Sequence, residues 1–502
     1  MPTFLDKLEL IAQKQPHDQA IEVSGESISF QELWRNIELV SSNAYRLGYQ
    51  PGDTFVFASK PTPQSISLVL GLARAGLRVS FLDPFTAINS FHVRIGLLDP
   101  KFVIAESTLF TIGSPRTSLL RKLLKITIAD YGAIQGSDFY FSGRRLPFLP
   151  KRARSIRREF FSPVSQLAPI QRVKDSDSII VFTSGTTAEP KGVVHSLESI
   201  SANFAETARI FDFKEKDRFY CGPITVGMVA ISSGATWVIP GRKPDLNCNK
   251  YFAVPTAALD LMKELEDKGA QKNVIEYFGM GGAPIPPSLV QRVIDVVGED
   301  THVPCLYGMT EILPVAYCDG REKLSYVKGD FIGQPIQGVE IQLASDHELE
   351  VRGSGLMKNY LGLTPEQWHR TGDLMRIDER GNLHMLGRKK NMMIRGEMNI
   401  YPSLYEPGIT KISGVLDAVM VGVPDEFEDD QIVLFILLDP GMPDSNQLRE
   451  RIRSELPVHV DKEALPDKVV FLQIMPLTGR DKKRDMAKLL EIARKELVEA
   501  KP

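Results

Sequence analysis

Residues 179–196, IIVFTSGTTAEPKGVVHS, constrain this chain more than any other stretch. Ile179, Ile180, Val181 and Phe182 form a short apolar run, and Val193 and Val194 resume it. The pattern predicts two strands joined by small and hydroxylated residues. Backbone N–H groups can approach a polyanion closely where side chains are small. Thr183, Ser184, Thr186 and Thr187 add hydroxyl donors, Gly185 removes a side chain, and Lys191 adds a mobile positive charge. This is the composition of a loop that cradles a nucleotide polyphosphate. It is not a G-x-x-x-x-G-K-[ST] loop, because the lysine follows Pro190 instead of opening a helix. Composition alone leaves an ordinary Ser/Thr/Gly linker equally open.

Three further segments follow in the chain: YGMTE at 307–311, HRTGD at 369–373 and GRKKNMMIRGEMNIYP at 387–402. With TSGTTAEPKG they resemble, in order, the signatures of the adenylate-forming (AMP-binding) enzymes, the family of acyl-CoA synthetases, luciferases and peptide-synthetase adenylation domains. The resemblance implies a large α/β N-terminal domain of layered sheets and helices, residues 1–389. A smaller mobile α+β C-terminal lid follows, residues 390–502, with the hinge at Lys389 or, in better register, Lys390.

The same resemblance assigns roles. Thr183, Ser184, Gly185, Thr186, Thr187 and Lys191 would hold the β- and γ-phosphates of ATP. Gly282 and Ala283, in the turn GMGGAPIPP at 279–287, and Tyr307 with Gly308 would lie beside adenine. Thr310 belongs to the phosphate and metal region, and Glu311 would bind Mg²⁺, for which a carboxylate is a suitable hard ligand. Asp373 would accept both ribose hydroxyls, and Arg388 would reach the ribose and phosphate side. In MPLTGRDKKRD at 475–485, Lys482 matches the lysine that reaches the substrate carboxylate and the α-phosphate, with Lys483 competing in register. Lys482, Thr310 and Lys191 are thus the expected catalytic residues. Ala188 and Asp481 stand where the family usually has glycine.

The remaining sequence bounds the class. A chain of 502 residues is too long for one hydrophobic core. Lys+Arg 60 against Asp+Glu 63 gives a net charge of −3, which offers no general attraction to nucleic acid or anionic membrane. Cys221, Cys248, Cys305 and Cys318 form no CxxC pair and are expected as buried free thiols. The N-terminus MPTFLDKLELIAQKQ lacks a signal-peptide apolar core, which sets cytoplasmic residence as the expectation. Periodicity predicts helices at 4–15 and 65–77 and a strand at 78–82. After the hinge it predicts strands at 416–423 and 431–438 and helices at 447–455 and 485–497. The Arg-rich segment 144–159 reads either as a docking patch for a phosphorylated partner or as a solvated connector. Residues 220–240, nearly free of charge but rich in Gly, Ser and Thr, read as buried strand, turn and helix and not as a membrane span. There Met228, Val229 and Trp237, with Gly281, Gly282 and Ala283 further along, are acyl-slot candidates or plain core.

Function follows from the resemblance as an expectation. It is ATP- and Mg²⁺-dependent conversion of a small-molecule carboxylic acid, fatty or otherwise hydrophobic, to acyl-AMP with pyrophosphate release, then transfer to coenzyme A. No nucleic acid and no integral membrane association are expected. Residues 312–315, ILPV, extend a likeness to β-lactone synthetases of bacterial long-chain olefin pathways, which act on β-hydroxy acids. Loading of a carrier-protein thiol is a third outcome, and a nucleotide-binding scaffold without turnover is the alternative of another class.

Overall fold

The computed structural model describes every residue except 1, 83–87, 114–133, 135, 148, 169–175, 184–189, 242–246, 268–273, 327–328, 396–397, 425–429, 479–482 and 500–502. Helices start where the sequence caps them. Thr3, Ser29 and Thr62 each accept the N–H of the third helical residue and receive its side chain in return, opening Phe4–Lys14, Phe30–Arg46 and Pro63–Arg74. The chain divides into two compact units.

The first unit comprises Met1–Cys248, Thr310–Leu313 and Ser354–Gln367. Its eight-stranded sheet runs, in spatial order, Asn359–Tyr360, Lys191–Ser196, Asp177–Thr183, Arg78–Phe81, Thr54–Ala58, Phe102–Glu106, Asp138–Ser142 and Arg154–Ser155. The six strands from Asp177–Thr183 onward are parallel; the five before Arg154–Ser155 are largely buried and apolar, with Val56, Val103, Phe139 and Ile180 in one core. Asp177–Thr183 and Lys191–Ser196 are antiparallel, so the phosphate-loop candidate connects a hairpin, as the sequence pattern requires.

Residues 218–238 form the strand Arg218–Cys221, the helix Ile224–Ile231 and the strand Thr236–Val238. Met228, Val229 and Trp237 are all buried. The Trp237 Nε1–H donates to the Cys221 carbonyl at 2.8 Å. A Cβ on Gly227 would stand 2.0 Å from the Trp237 ring, so glycine is required by this close approach. These three acyl-slot candidates are core. In the Arg-rich segment, Arg152 donates to the Ile134 carbonyl and covers the Phe139 ring, and Arg154 pairs with Asp138 at 2.8 Å.

The second unit comprises Asn249–Met309, Pro314–Gly353 and Trp368–Pro502. Tyr277–Gly281 pairs with Lys250–Ala253 and Pro304–Met309 in parallel, and His369–Ile377 pairs with Leu383–Arg388 antiparallel. Its last hundred residues form a smaller α+β body around the strands Val415–Pro424, Asp430–Leu438 and Lys468–Leu472. Alternation sorts the two faces. Ala418, Met420, Ile432, Leu434 and Ile436 pack with Ile452 and Leu456 of the helix Asn446–His459. Val419, Val421, Val433 and Phe435 pack with Leu489 and Ala493 of the helix Met486–Glu499. Periodicity placed all four elements within a few residues. The four cysteines are buried and form no disulfide among the described residues.

Candidate active site

In the first unit, strand pairing gathers the phosphate and metal candidates. Thr183 and Lys191 are cross-strand partners at the base of the hairpin; Ser184, Gly185, Thr186 and Thr187 lie outside the described residues. Asn359–Tyr360 pairs with the same strand, placing Tyr360 opposite Val193. The Tyr360 hydroxyl donates to Glu311 Oε1 at 2.7 Å, and Lys191 Nζ stands 5.1 Å from the centre of the Tyr360 ring. Burial, reinforced by the Glu311 carboxylate, raises the Tyr360 phenol far above its ordinary range, so it stays a donor.

His195, on the strand carrying Lys191, faces the Thr310 carbonyl at 2.7 Å through Nε2 and Ser199 Oγ at 3.1 Å through Nδ1. A carbonyl only accepts, so Nε2 carries the proton and Nδ1 accepts from the serine. Burial lowers the His195 pKa and keeps the ring neutral. The Glu311 carbonyl accepts the Met357 N–H at 2.7 Å. The backbone around Thr310 and Glu311 is thereby fixed from two sides.

The Mg²⁺ that the adenylate-forming likeness implies fits these residues. Among the described residues no group of three or more His, Cys, Asp or Glu side chains could cage a metal. Glu311, 8 % exposed, instead offers a single carboxylate with one oxygen held by a hydroxyl. That suits an ion that keeps waters and substrate phosphates as its other ligands.

In the second unit, Asp373 is the centre. Antiparallel register sets Asp373 against Arg388. The Tyr307 hydroxyl donates to Asp373 Oδ2 at 2.7 Å, and Arg388 Nε lies 2.9 Å from Oδ1 as an ion pair without hydrogen-bond geometry. Asp373 is 1 % exposed, and no donor among the described residues hydrogen-bonds its Oδ1. A buried carboxylate oxygen with an unused lone pair is an acceptor suited to a hydroxyl donor. Burial first, then the Asp373 charge, pushes the Tyr307 phenol well above its ordinary range. Gly372, at φ +73°, makes the turn into the aspartate and donates its N–H to Glu348 at 3.0 Å. Lys389 is tied to Asp346 at 2.6 Å and to Glu348 at 3.3 Å, whereas Lys390 has no ion pair among the described residues.

A 320 Å³ cavity in this unit is lined by Gly282, Ala283, Tyr307, Gly308, Arg388 and Lys483 among others. A second, of 350 Å³, is lined by Thr371, Gly372, Asp373, Arg388, Lys389 and Lys390. The chain thus brings Gly282, Ala283, Tyr307 and Gly308 to one cavity, and Arg388 borders both. Lys482 lies outside the described residues. Its neighbour Arg484 closes the short hairpin Leu477–Thr478 with Lys483–Arg484. Arg484 grips Asp417 with two nitrogens at 2.5 and 3.2 Å and reaches Glu406 at 3.4 Å. Burial raises the Glu406 pKa, opposed by the Arg484 charge. Arg484→Met should therefore leave two carboxylates unpaired and lower stability by about 3–5 kcal/mol. Thermal melting of the full chain checks this, and an unchanged Tm would remove the ion network from the stability account.

Tyr360 and His195 are functional candidates that sequence reading did not single out. The signals available, a tyrosine in KNYLG and a histidine four residues past Lys191, become specific only through strand pairing.

With this geometry, the chain matches the AMP-binding enzyme family over residues 8–361 and the AMP-binding enzyme C-terminal domain over residues 405–482. It belongs to the AMP-binding enzyme family and is an ATP-dependent, adenylate-forming acid ligase acting on a small-molecule carboxylic acid. Its architecture is that family's large α/β domain followed by a smaller α+β domain. It is 27 % identical over 538 aligned residues to the medium-chain acyl-CoA ligase ACSF2, mitochondrial, of Mus musculus, covering 94 % of this chain and 84 % of that protein. It is 26 % identical to the long-chain-fatty-acid–CoA ligase FadD13 of Mycobacterium tuberculosis, covering 60 % of this chain and 65 % of that one. In fold it is similar to the amide bond synthetase McbA of Marinactinospora thermotolerans, with TM-score 0.78 and 20 % identity over 97 % of this chain and 99 % of that one.

These relatives correct the cytoplasmic expectation. The mouse ligase and its counterparts in cattle, rat, zebrafish and macaque are named as mitochondrial proteins. The absence of a secretory apolar core does not separate cytoplasm from an organelle, because organellar leaders are amphipathic instead of apolar. Among the described residues no helix is long and apolar enough to cross a membrane.

Proposed function

We propose that the chain activates a hydrophobic, fatty carboxylic acid as its acyl-adenylate and transfers the acyl group to coenzyme A. The observation that carries the nucleotide half is the buried Asp373 carboxylate with its unused Oδ1, held between Tyr307 and Arg388. In this reading Asp373 accepts the ribose hydroxyls and Arg388 attends the phosphate side. Gly282, Ala283, Tyr307 and Gly308 border adenine, and Thr183, Ser184, Gly185, Thr186, Thr187 and Lys191 hold the β- and γ-phosphates. Glu311, with Thr310, would hold Mg²⁺, which when bound offsets charge on the triphosphate.

A carboxylic acid with a pKa of about 4.3 is already ionised at neutral pH, so no side-chain base is required. Its oxygen attacks the α-phosphorus, the bond to the β-phosphate bridge breaks, and pyrophosphate leaves. Lys482 offsets charge between carboxylate and α-phosphate as the bond forms. A thiol sulfur then attacks the acyl carbonyl, the anhydride C–O bond breaks, and AMP leaves. Rotation of a lid spanning 390–502 about Lys390 separates the two half-reactions. The ion pairs that tie down Lys389 and spare Lys390 favour that hinge.

The fatty acid and coenzyme A are supported by the names of the curated relatives, medium-chain and long-chain acyl-CoA ligases. Purified protein incubated with MgATP and a panel of plain and β-hydroxy fatty acids, with and without coenzyme A, tests the reading by product mass. Acyl-CoA formed only with coenzyme A is the expected result. A β-lactone formed without coenzyme A would overturn the acceptor and favour the β-hydroxy chemistry hinted at by ILPV. Pyrophosphate release with neither product would point to a carrier-protein thiol, and absence of release across the panel would sink the substrate class.

A further inference from the structure

Lys191 and Glu311 carry opposite charges and both lie against one side chain, Tyr360. Direct pairing of a lysine with a glutamate is favourable, and it would occupy both charges. Among the described residues the two form no ion pair. The Tyr360 ring takes the ammonium on its face at 5.1 Å, and its hydroxyl binds Glu311 Oε1 at 2.7 Å. Glu311 Oε2 has no hydrogen-bond partner among the described residues. Tyr360 is itself fixed by its strand, which pairs Asn359 with Val194 and Tyr360 with Val193 on the strand that begins at Lys191.

We propose that Tyr360 is a positioning residue that keeps Lys191 and Glu311 apart and orients the Glu311 carboxylate for a divalent cation. This rests on the reading of Glu311 as the metal ligand. The hydroxyl and the ring have separable tasks: the hydroxyl orients the carboxylate, and the ring parks the ammonium. A partner that orients a ligating carboxylate typically governs metal affinity about 10–100-fold, while nucleotide contacts elsewhere are untouched.

The test uses Mn²⁺ as probe, with free Mn²⁺ counted by electron paramagnetic resonance in the presence of the full chain and ATP. Tyr360→Phe keeps the ring and the strand, and is expected to weaken Mn²⁺ binding about 10–100-fold with metal-free ATP binding unchanged. Tyr360→Leu removes both devices, and is expected in addition to slow pyrophosphate release at saturating metal, as Lys191 falls onto Glu311. Glu311→Gln separates the two readings. If Glu311→Gln weakens Mn²⁺ binding and Tyr360→Phe does not, the positioning role is wrong while the metal assignment stands. If Glu311→Gln leaves Mn²⁺ affinity unchanged, both fall. Equal loss of metal-free ATP binding and Mn²⁺ binding in Tyr360→Phe would reduce Tyr360 to a structural role.

Discussion

Asp373→Asn is expected to lower kcat/KM for ATP by roughly 10²–10⁴, while leaving the fold intact. The estimate comes from two hydrogen bonds to a charged carboxylate, at about 1.5–3 kcal/mol each, converted at 1.4 kcal/mol per tenfold. Asparagine keeps the shape, but its amide nitrogen cannot accept, so either the Tyr307 hydroxyl or a ribose hydroxyl loses its partner. The loss should be specific to the sugar. The unsubstituted protein should use 2′-deoxy-ATP and 3′-deoxy-ATP much less well than ATP, and Asp373→Asn should use the three almost equally. Combining substitution and analogue in a double-mutant cycle isolates that coupling. If Asp373→Asn still distinguishes ATP from the deoxynucleotides as sharply as before, the carboxylate does not bind the ribose, and its burial beside Arg388 is structural.

Lys482→Ala is expected to reduce acyl-adenylate formation by roughly 10²–10³, the scale on which loss of one donor aimed at transition-state charge is felt. Use of supplied acyl-AMP with coenzyme A should change far less. The split is the informative quantity, because a folding defect would reduce both half-reactions together. Lys483 is the control: it lines the 320 Å³ cavity with Gly282, Ala283 and Tyr307. If Lys483→Ala produces the split and Lys482→Ala does not, the register of the motif shifts by one. Equal loss of both half-reactions in well-folded Lys482→Ala protein would remove the lysine from adenylation chemistry. Single-turnover measurement of acyl-AMP, separate from thiol transfer, reads this directly.

Local physics made much of this protein legible from its residues. Ile179 to Phe182 and Val193 to Val194 could form only strands around a polar connection, and the hairpin Asp177–Thr183 with Lys191–Ser196 is what they form. Alternation at 418–421 and 432–436 fixed which side of the last sheet each residue faces. The ordered segments around Thr183, Glu311, Asp373 and Arg388 carried the family, because chemistry at a phosphate, a metal and a ribose restricts residue types over a few adjacent positions. Residue type could not decide between slot and core for Met228 and Trp237. Only the tertiary structure, which buries both and packs Trp237 against Gly227 with its indole bound to Cys221, settled them as core.

The partners of the site residues were decided by tertiary structure alone. Tyr307 meets Asp373 across 66 positions, Tyr360 meets Glu311 across 49, and His195 meets Thr310 across 115. Period and propensity describe neighbours within a turn or a strand and contain no information about which strand lies beside which. That choice belongs to sheet order and register, and a register shifted by one residue would turn Tyr360 or Asp373 to the opposite face. The sequence by itself therefore determined which groups could do the chemistry; strand pairing decided which oxygen of Glu311 is held, which oxygen of Asp373 stays open, and which face of Tyr360 receives Lys191.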